Sequence, residues 1–333
     1  LQATLLAHNS SYKSSEADLH MSEQKKQATR DGFGQGLLAA AQADSRVVGL
    51  CADLTESTRM LAFAQAFPER FVQVGVAEQN LAGLAAGFAL AGKIPFAASY
   101  ACFHPANSWG VIRTSICYSN LNVKIIGGHA GLVTGADGAT HQSLEDIALM
   151  RVLPNMTVVV PCDAEEASKA TRALAQHLGP AYLRTNKFDI AAITQAETPF
   201  TLGKALTLRQ GSDATIIACG SVVTQALQAA ELLTEKNRSI RVLNMHTIKP
   251  LDWESVLLAA RETKAILTVE DHQIYGGLGS AVAEVLAQSR VRTPFKILGV
   301  VDTFGQSGQA TELLKAYKLD GASIAKELLE LRI

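Results

Sequence analysis

Val74-Gly75-Val76-Ala77-Glu78-Gln79-Asn80 decides how this chain folds. The apolar run Phe71–Val74 leading into it reads as a strand. From Asn80 to Ala91 small and apolar residues recur at helical spacing. A single carboxylate therefore stands where a strand hands over to a Gly/Ala-rich helix. Its bland explanation is a first-turn acid favoured by the helix dipole; a functional explanation needs company from elsewhere in the chain.

Outward from this point, apolar β-rich runs alternate with helical patterns. The sequence predicts strands at 47–51, 71–74, 94–98, 123–127, 157–160 and 181–183, separated by helices at 28–43, 80–91, 104–118, 143–151 and 164–177. Continuous apolar strands between helices indicate a parallel sheet covered on both faces. The stretch 186–213 breaks the pattern with Pro199, Gly203 and Gly211 and reads as a linker plus an edge strand. A second β/α series follows and ends in a helix at 321–331. The expected fold class is α/β, with two doubly wound domains and a boundary near 190–202. The segment Gly276-Gly277-Leu278-Gly279-Ser280 lacks the GxGxxG spacing of a dinucleotide fingerprint and reads as a tight helix start.

Composition narrows the function. The 333 residues suffice for two cores, with 48% hydrophobic and 18% charged residues. A net charge of -1 gives no basic footprint for nucleic acid or a membrane surface. The five cysteines are scattered without a CxxC pair, as expected of reduced thiols in a cytoplasmic protein. The first twenty residues are polar and Ser-rich. They read as a disordered extension, with Met21 as a natural start.

The 74–80 stretch and Gly135-Ala136-Asp137-Gly138-Ala139-Thr140-His141-Gln142 together resemble the pyrimidine-binding domain of transketolase-type thiamine diphosphate enzymes. The likeness runs from about Lys26 to the C-terminus. It implies an extension over 1–25, a pyrimidine-binding domain over 26–190 and a transketolase C-terminal domain over 202–333. The family's Gly-Asp-Gly motif with its downstream Asn, which holds the cofactor diphosphate through a divalent metal, occurs nowhere in the sequence. The resemblance thus implies half an active site. The chain would be the C-terminal subunit of a split transketolase, an N-terminal subunit would hold the diphosphate and Mg2+, and the assembly would be α2β2. The reaction implied moves a two-carbon ketol unit from a ketose phosphate to an aldose phosphate.

Site roles follow from the same likeness. Glu78 is the carboxyl that hydrogen-bonds the pyrimidine N1' in a dry pocket, where desolvation favours sharing of the proton. Phe103, with Tyr100 beside it, is the aromatic partner of that ring. For Tyr100, ordinary core packing is an equal reading. His129 lies near the reacting carbon, Asp137 reads a substrate hydroxyl and His141 orients the substrate. Arg30, Arg184 and Lys187 are the phosphate cations, Lys187 standing where relatives more often carry Arg. Asp53 lines the cofactor cleft or, more plainly, caps the following helix. A metal site built on His104, His129 and His141 has no acid ligands in pattern. Ala106 and Asn107 replace the basic or aromatic residues usual after Phe103, which leaves room for an unusual acceptor sugar. The second domain is expected to support assembly and to contribute little to the chemistry.

Three rivals remain at this level. A 2-oxo acid dehydrogenase β subunit also supplies the acid without the diphosphate motif, but it has no use for a segment that recognises sugar hydroxyls. A deoxyxylulose-phosphate synthase-like half is favoured slightly by Ala136. A non-catalytic scaffold would keep only the fold.

Overall fold

A computed structural model describes residues 26–331 and 333. The extension and the Met21 start lie outside the described residues. In chain order the first part contains β1 (Lys26–Gln27), α1 (Thr29–Ala43), β2 (Val47–Cys51), α2 (Leu61–Ala66), β3 (Phe71–Gln73), α3 (Glu78–Leu90), β4 (Ile94–Tyr100), β5 (Lys124–Gly128), α4 (Asp146–Arg151), β6 (Thr157–Val159), α5 (Ala164–Gln176), β7 (Ala181–Arg184) and β8 (Ile190–Ala191). The second contains β9 (Leu206–Arg209), β10 (Ala214–Ala218), α6 (Val223–Thr234), β11 (Ile240–Asn244), β12 (Thr247–Lys249), α7 (Trp253–Glu262), β13 (Ile266–Gln273), α8 (Leu278–Gln288), β14 (Phe295–Val300), α9 (Ala310–Ala316) and α10 (Gly321–Leu329).

Two α/β sheets result, as the patterning predicts. The larger runs β12-β6-β7-β5-β4-β2-β3 and the smaller β14-β13-β10-β11-β9. Strands β2 to β7 are mutually parallel, and β2 and β5 are buried along their whole length. That is why their sequences read as unbroken apolar runs. Helix α1 packs on α5 so closely that a Cβ on Gly32 would sit 1.8 Å from the Ala164 carbonyl oxygen. Asp163 caps α5 by accepting from the Glu166 N–H, and Asp252 caps α7 by accepting from the Ser255 N–H.

Two local expectations are corrected. Residues 104–118 do not form one helix. A 3-10 turn at Ala106–Ser108, a single α turn at Trp109–Val111 and a π segment at Ile112–Cys117 replace it. Pro105 and Gly110 disfavour a continuous ladder, and the Thr114 hydroxyl takes the Gly110 carbonyl at 2.8 Å. The other correction is topological. Thr247–Lys249, expected within the second domain, crosses over as β12 and pairs antiparallel with β6. It covers what would otherwise be an open edge of the larger sheet. The two parts also share apolar core: Ile125 and Tyr182 of the first belong to one buried cluster with Ile217, Ile248, Val256 and Leu278 of the second.

Candidate active site

The sequence-predicted residues gather beyond the carboxyl ends of the parallel strands. Asp53 follows β2, Glu78 follows β3, Tyr100 ends β4, His129 follows β5, and Arg184 ends β7 with Lys187 just after it. This is the edge at which open α/β sheets place their ligands.

Glu78 is the first residue of α3 and is 9% exposed. The Ser99 hydroxyl, carried in the buried part of β4, donates to Glu78 Oε1 at 3.0 Å. Glu78 faces a cleft of about 560 Å3 that is also lined by Ala77, Gln79, Asn80 and Asn107. The carboxyl is therefore fixed from behind and open in front. A larger groove of about 910 Å3, lined by Arg151, Ile248, Trp253 and Glu284 among others, contains none of the predicted site residues.

Four rings meet around Tyr100, the residue that follows Ser99 in β4. Tyr100 stacks on His129 with centroids 3.8 Å apart, and Phe103 lies nearly parallel to Tyr100 at 6.2 Å. The edge-on contacts of His141 are 5.5 Å to Phe103 and 6.2 Å to Tyr100. His129 adopts φ 53, an unusual conformation for a side-chain-bearing residue. It is held there by the Thr134 hydroxyl, which donates to the His129 carbonyl at 2.5 Å, and by the Ala130 N–H donating to Thr185 O at 3.1 Å. Burial, and then the charge of Arg30, push the His129 imidazole down to about 3, so it is neutral at physiological pH. Arg30 Nη1 approaches His129 Nε2 at 3.4 Å. A guanidinium can only donate, so Nε2 accepts and the ring proton belongs on Nδ1. Among the described residues Nδ1 is buried without a hydrogen-bond partner, and so is Arg30 Nε. Buried donors left without partners fit a ligand carrying oxygen atoms.

The cations divide into two kinds. Lys187 pairs with Asp137 at 2.7 Å, both side chains about one-third exposed and accessible to a substrate. Arg184 is 7% exposed and binds Asp146 through Nε at 2.8 Å and Nη2 at 3.1 Å, with further bonds from Nη2 to the carbonyls of Ser143 and Asp271. Tyr182 completes the arrangement by donating to Asp146 Oδ2 at 2.6 Å. Arg184 Nε and Nη2 are thus engaged internally and tie the two domains together, while Nη1 forms no hydrogen bond among the described residues. Asp53 is exposed at φ 60 and forms no hydrogen bond or ion pair with the ring cluster; its N–H donates to Gln73 Oε1 at 2.6 Å. It does not cap α2, whose N-cap is Met60. His104 is fully buried on Ser108 Oγ at 2.7 Å. Among the described residues no three His, Cys, Asp or Glu side chains group as metal ligands, and no helix is long and apolar enough to cross a membrane.

Two contributors escaped the sequence reading. Ser99 is a lone polar residue in the buried part of a strand, a signal that was there to be used. Gln142 bridges domains, its amide donating to Gly135 O and to Gln306 O, each at 3.0 Å. Nothing in the sequence announces a contact between residues so far apart.

The donor set suits a heteroaromatic, oxygen-rich ligand: an anchored carboxyl, aromatic faces, neutral imidazole N–H and accessible cations. Comparison with known proteins agrees with it. The family model for the transketolase pyrimidine-binding domain matches residues 25–191, and that for the transketolase C-terminal domain matches residues 203–324. One of the subunits of an apulose-4-phosphate transketolase from Phocaeicola vulgatus is 40% identical over 91% of this chain and 97% of its own. A 6-deoxy-6-sulfo-D-fructose transketolase subunit from a Clostridium species is 40% identical over 90% of this chain and 92% of its own. A solved split-gene transketolase, an inactive β4 tetramer, superposes with a TM-score of 0.85 at 42% identity over 91% of this chain and 98% of that one. The chain belongs to the transketolase family, as a C-terminal section of the split form.

Proposed function

From that membership we propose that this chain is the C-terminal subunit of a two-chain, thiamine diphosphate-dependent transketolase acting in carbohydrate metabolism. It moves a two-carbon ketol unit from a ketose phosphate to an aldose phosphate acceptor. The observation that carries the reading is the Glu78 carboxyl at the head of α3, held by Ser99 and opening on a cleft. We assign residues 26–190 to cofactor and substrate binding and 202–333 to the C-terminal domain.

Thiamine diphosphate would supply the carbon nucleophile that accepts the ketol unit. This chain's residues bind, orient and move protons around it. Glu78 hydrogen-bonds the pyrimidine nitrogen and shares a proton with it, while Phe103 and Tyr100 form the flat apolar wall. His129 presents a neutral Nδ1–H donor to a substrate oxygen, and His141, edge-on to Phe103 and Tyr100, orients the sugar. Asp137 accepts from a sugar hydroxyl. Arg30 and Lys187 attract the phosphate, Lys187 as a point charge lacking the bidentate fork of Arg. Asp53 lines the outer cleft. An N-terminal subunit holds the diphosphate and Mg2+ in an α2β2 assembly, and the five free cysteines suit a cytoplasmic setting.

The test is ketol transfer by this chain reconstituted with its N-terminal subunit, thiamine diphosphate and Mg2+, across panels of ketose phosphates and aldose acceptors. Cofactor-dependent transfer that disappears with Glu78→Gln supports the assignment. Turnover of pyruvate or another 2-oxo acid, with none of ketose phosphates, overturns it.

A further inference from the structure

The second domain reaches directly into the site. The end of β13 carries Glu270, Asp271 and His272 in succession, all buried. Three consecutive residues of this strand contact the first domain. Asp271 Oδ1 accepts from the Leu132 N–H at 2.8 Å and Oδ2 from the Val133 N–H at 3.3 Å. His272 Nε2 accepts from the Ala148 N–H at 3.3 Å, and the Gln273 N–H donates to Leu144 O at 2.8 Å. Leu132 and Val133 open the loop that joins His129 to His141. The Asp271 carboxylate lies so close to that loop that a Cβ on Gly131, at φ 87, would meet Oδ2 at 2.2 Å.

A second clasp lies at the loop's far end. Gln142 donates to Gln306 O at 3.0 Å, and Gly305 leaves room for it, since a Cβ there would sit 1.9 Å from Gln142 Oε1. Between the two clasps the loop turns at Gly135 and Gly138 against Gly308 and Ser307 of the second domain. The loop has turn bonds of its own, from the Thr134 N–H to Gly131 O at 3.1 Å and from the Gln142 N–H to Gly138 O at 3.0 Å. These shape it locally, and the contacts with the second domain seat it at both ends.

We propose that Asp271 is a positioning residue for ketol transfer: with the Gln142–Gln306 clasp, it holds the 129–142 loop so that His129, Asp137 and His141 face the substrate. The second domain is thus part of the active-site scaffold. Asp271 does not line the cleft at Glu78 and acts through the loop. Misplacing catalytic groups by about 1 Å lowers turnover by about 100-fold, and a carboxylate replaced by an amide loses one of two acceptors on adjacent N–H groups. This inference rests on the ketol-transfer reading only for its kinetic arm.

The experiment compares wild-type chain with Asp271→Asn in the reconstituted two-subunit enzyme, by steady-state kinetics, cofactor titration and amide hydrogen exchange. The expected result is a loss of kcat of about tenfold or more, with cofactor affinity unchanged. The Leu132 and Val133 amides should exchange at least about tenfold faster while α1 and β2 keep their protection. A general structural defect would instead weaken cofactor binding and protection throughout, and that result overturns the proposal. So does unchanged exchange at 132–133. Should Asp271→Asn not fold, Gln142→Met opens the other clasp: the same loss of kcat is expected, with faster exchange at the Gly138, His141 and Gln142 amides, and unchanged exchange there overturns the proposal. If the wild-type enzyme fails to transfer ketol groups, the proposed activity falls, yet the exchange arm still decides the positioning role.

Discussion

Tyr100 and His129 stack with ring centroids 3.8 Å apart because the strands that carry them are neighbours in register, Tyr100 facing Gly128 across the β4–β5 ladder. A ring from one strand thereby fixes an imidazole from the next. Tyr100→Phe keeps the ring and should leave turnover within a few-fold. Tyr100→Ala removes it, and an aromatic contact worth about 1 kcal/mol corresponds to about a fivefold loss in kcat/KM. Steady-state kinetics of the two variants decides; equal losses would mean that the hydroxyl, not the ring, matters.

Among the described residues Glu78 has one side-chain partner, Ser99, through an oxygen that a glutamine retains. Glu78→Gln should therefore fold normally, with an unchanged thermal midpoint, while turnover falls by about 100-fold or more, as expected when a proton-sharing group is lost. Undiminished turnover would remove Glu78 from the mechanism.

The two predicted phosphate cations at the end of β7 should separate cleanly. Arg184→Met leaves Asp146 as a buried unpaired charge and should destabilise the chain by about 3–5 kcal/mol, read from the denaturant midpoint. Lys187→Met breaks a partly exposed pair worth about 0–1 kcal/mol. Its effect should appear as a raised KM for the phosphorylated substrate with stability nearly unchanged. Reversal of the two outcomes would exchange their roles.

His104 tests the electrostatics of the buried histidines. Burial pushes it down to about 3. The unfolded chain takes up a proton near pH 6.5 that the folded chain refuses, so the stability it contributes is present above that pH and is lost as pH falls towards 3. Each pH unit in this window represents about 1.4 kcal/mol. Between pH 6 and 4 the wild type should lose stability faster than His104→Gln, by up to about 2–3 kcal/mol over the interval. Parallel profiles for the two proteins would show that His104 is protonated in the fold.

Close packing offers a purely structural test. Gly32→Ala places a methyl against the Ala164 carbonyl oxygen, a backbone atom that cannot turn aside. A loss of about 1–3 kcal/mol is expected from overpacking. An unchanged denaturant midpoint would mean that α1 and α5 part without penalty.

Much of this was legible in the sequence, for identifiable reasons. The parallel strands showed because both of their faces are buried, and Glu78 showed because an acid between a strand and a small-residue helix has little packing value. His129 and Asp137 were marked by the glycines around them. What did not show depends on contacts between distant residues. Arg184 and Lys187 look alike in sequence, and only the fold brings Asp146 and Asp271 to one of them. β12 leaves its own domain because a sheet edge needs covering, a demand no local pattern encodes. The run Glu270-Asp271-His272 did carry a signal: ionisable residues at the end of an apolar strand require partners when buried. Those partners turned out to be the backbone of the active-site loop.

The central claim is that this chain forms half of an active site. Native mass spectrometry of the chain, purified gently from its own cells, tests it most directly. The expected result is an α2β2 complex in which a second chain carries a Gly-Asp-Gly motif and thiamine diphosphate remains bound. A cofactor-free assembly of this chain alone, with no partner and no gain of cofactor on adding thiamine diphosphate and Mg2+, would contradict it.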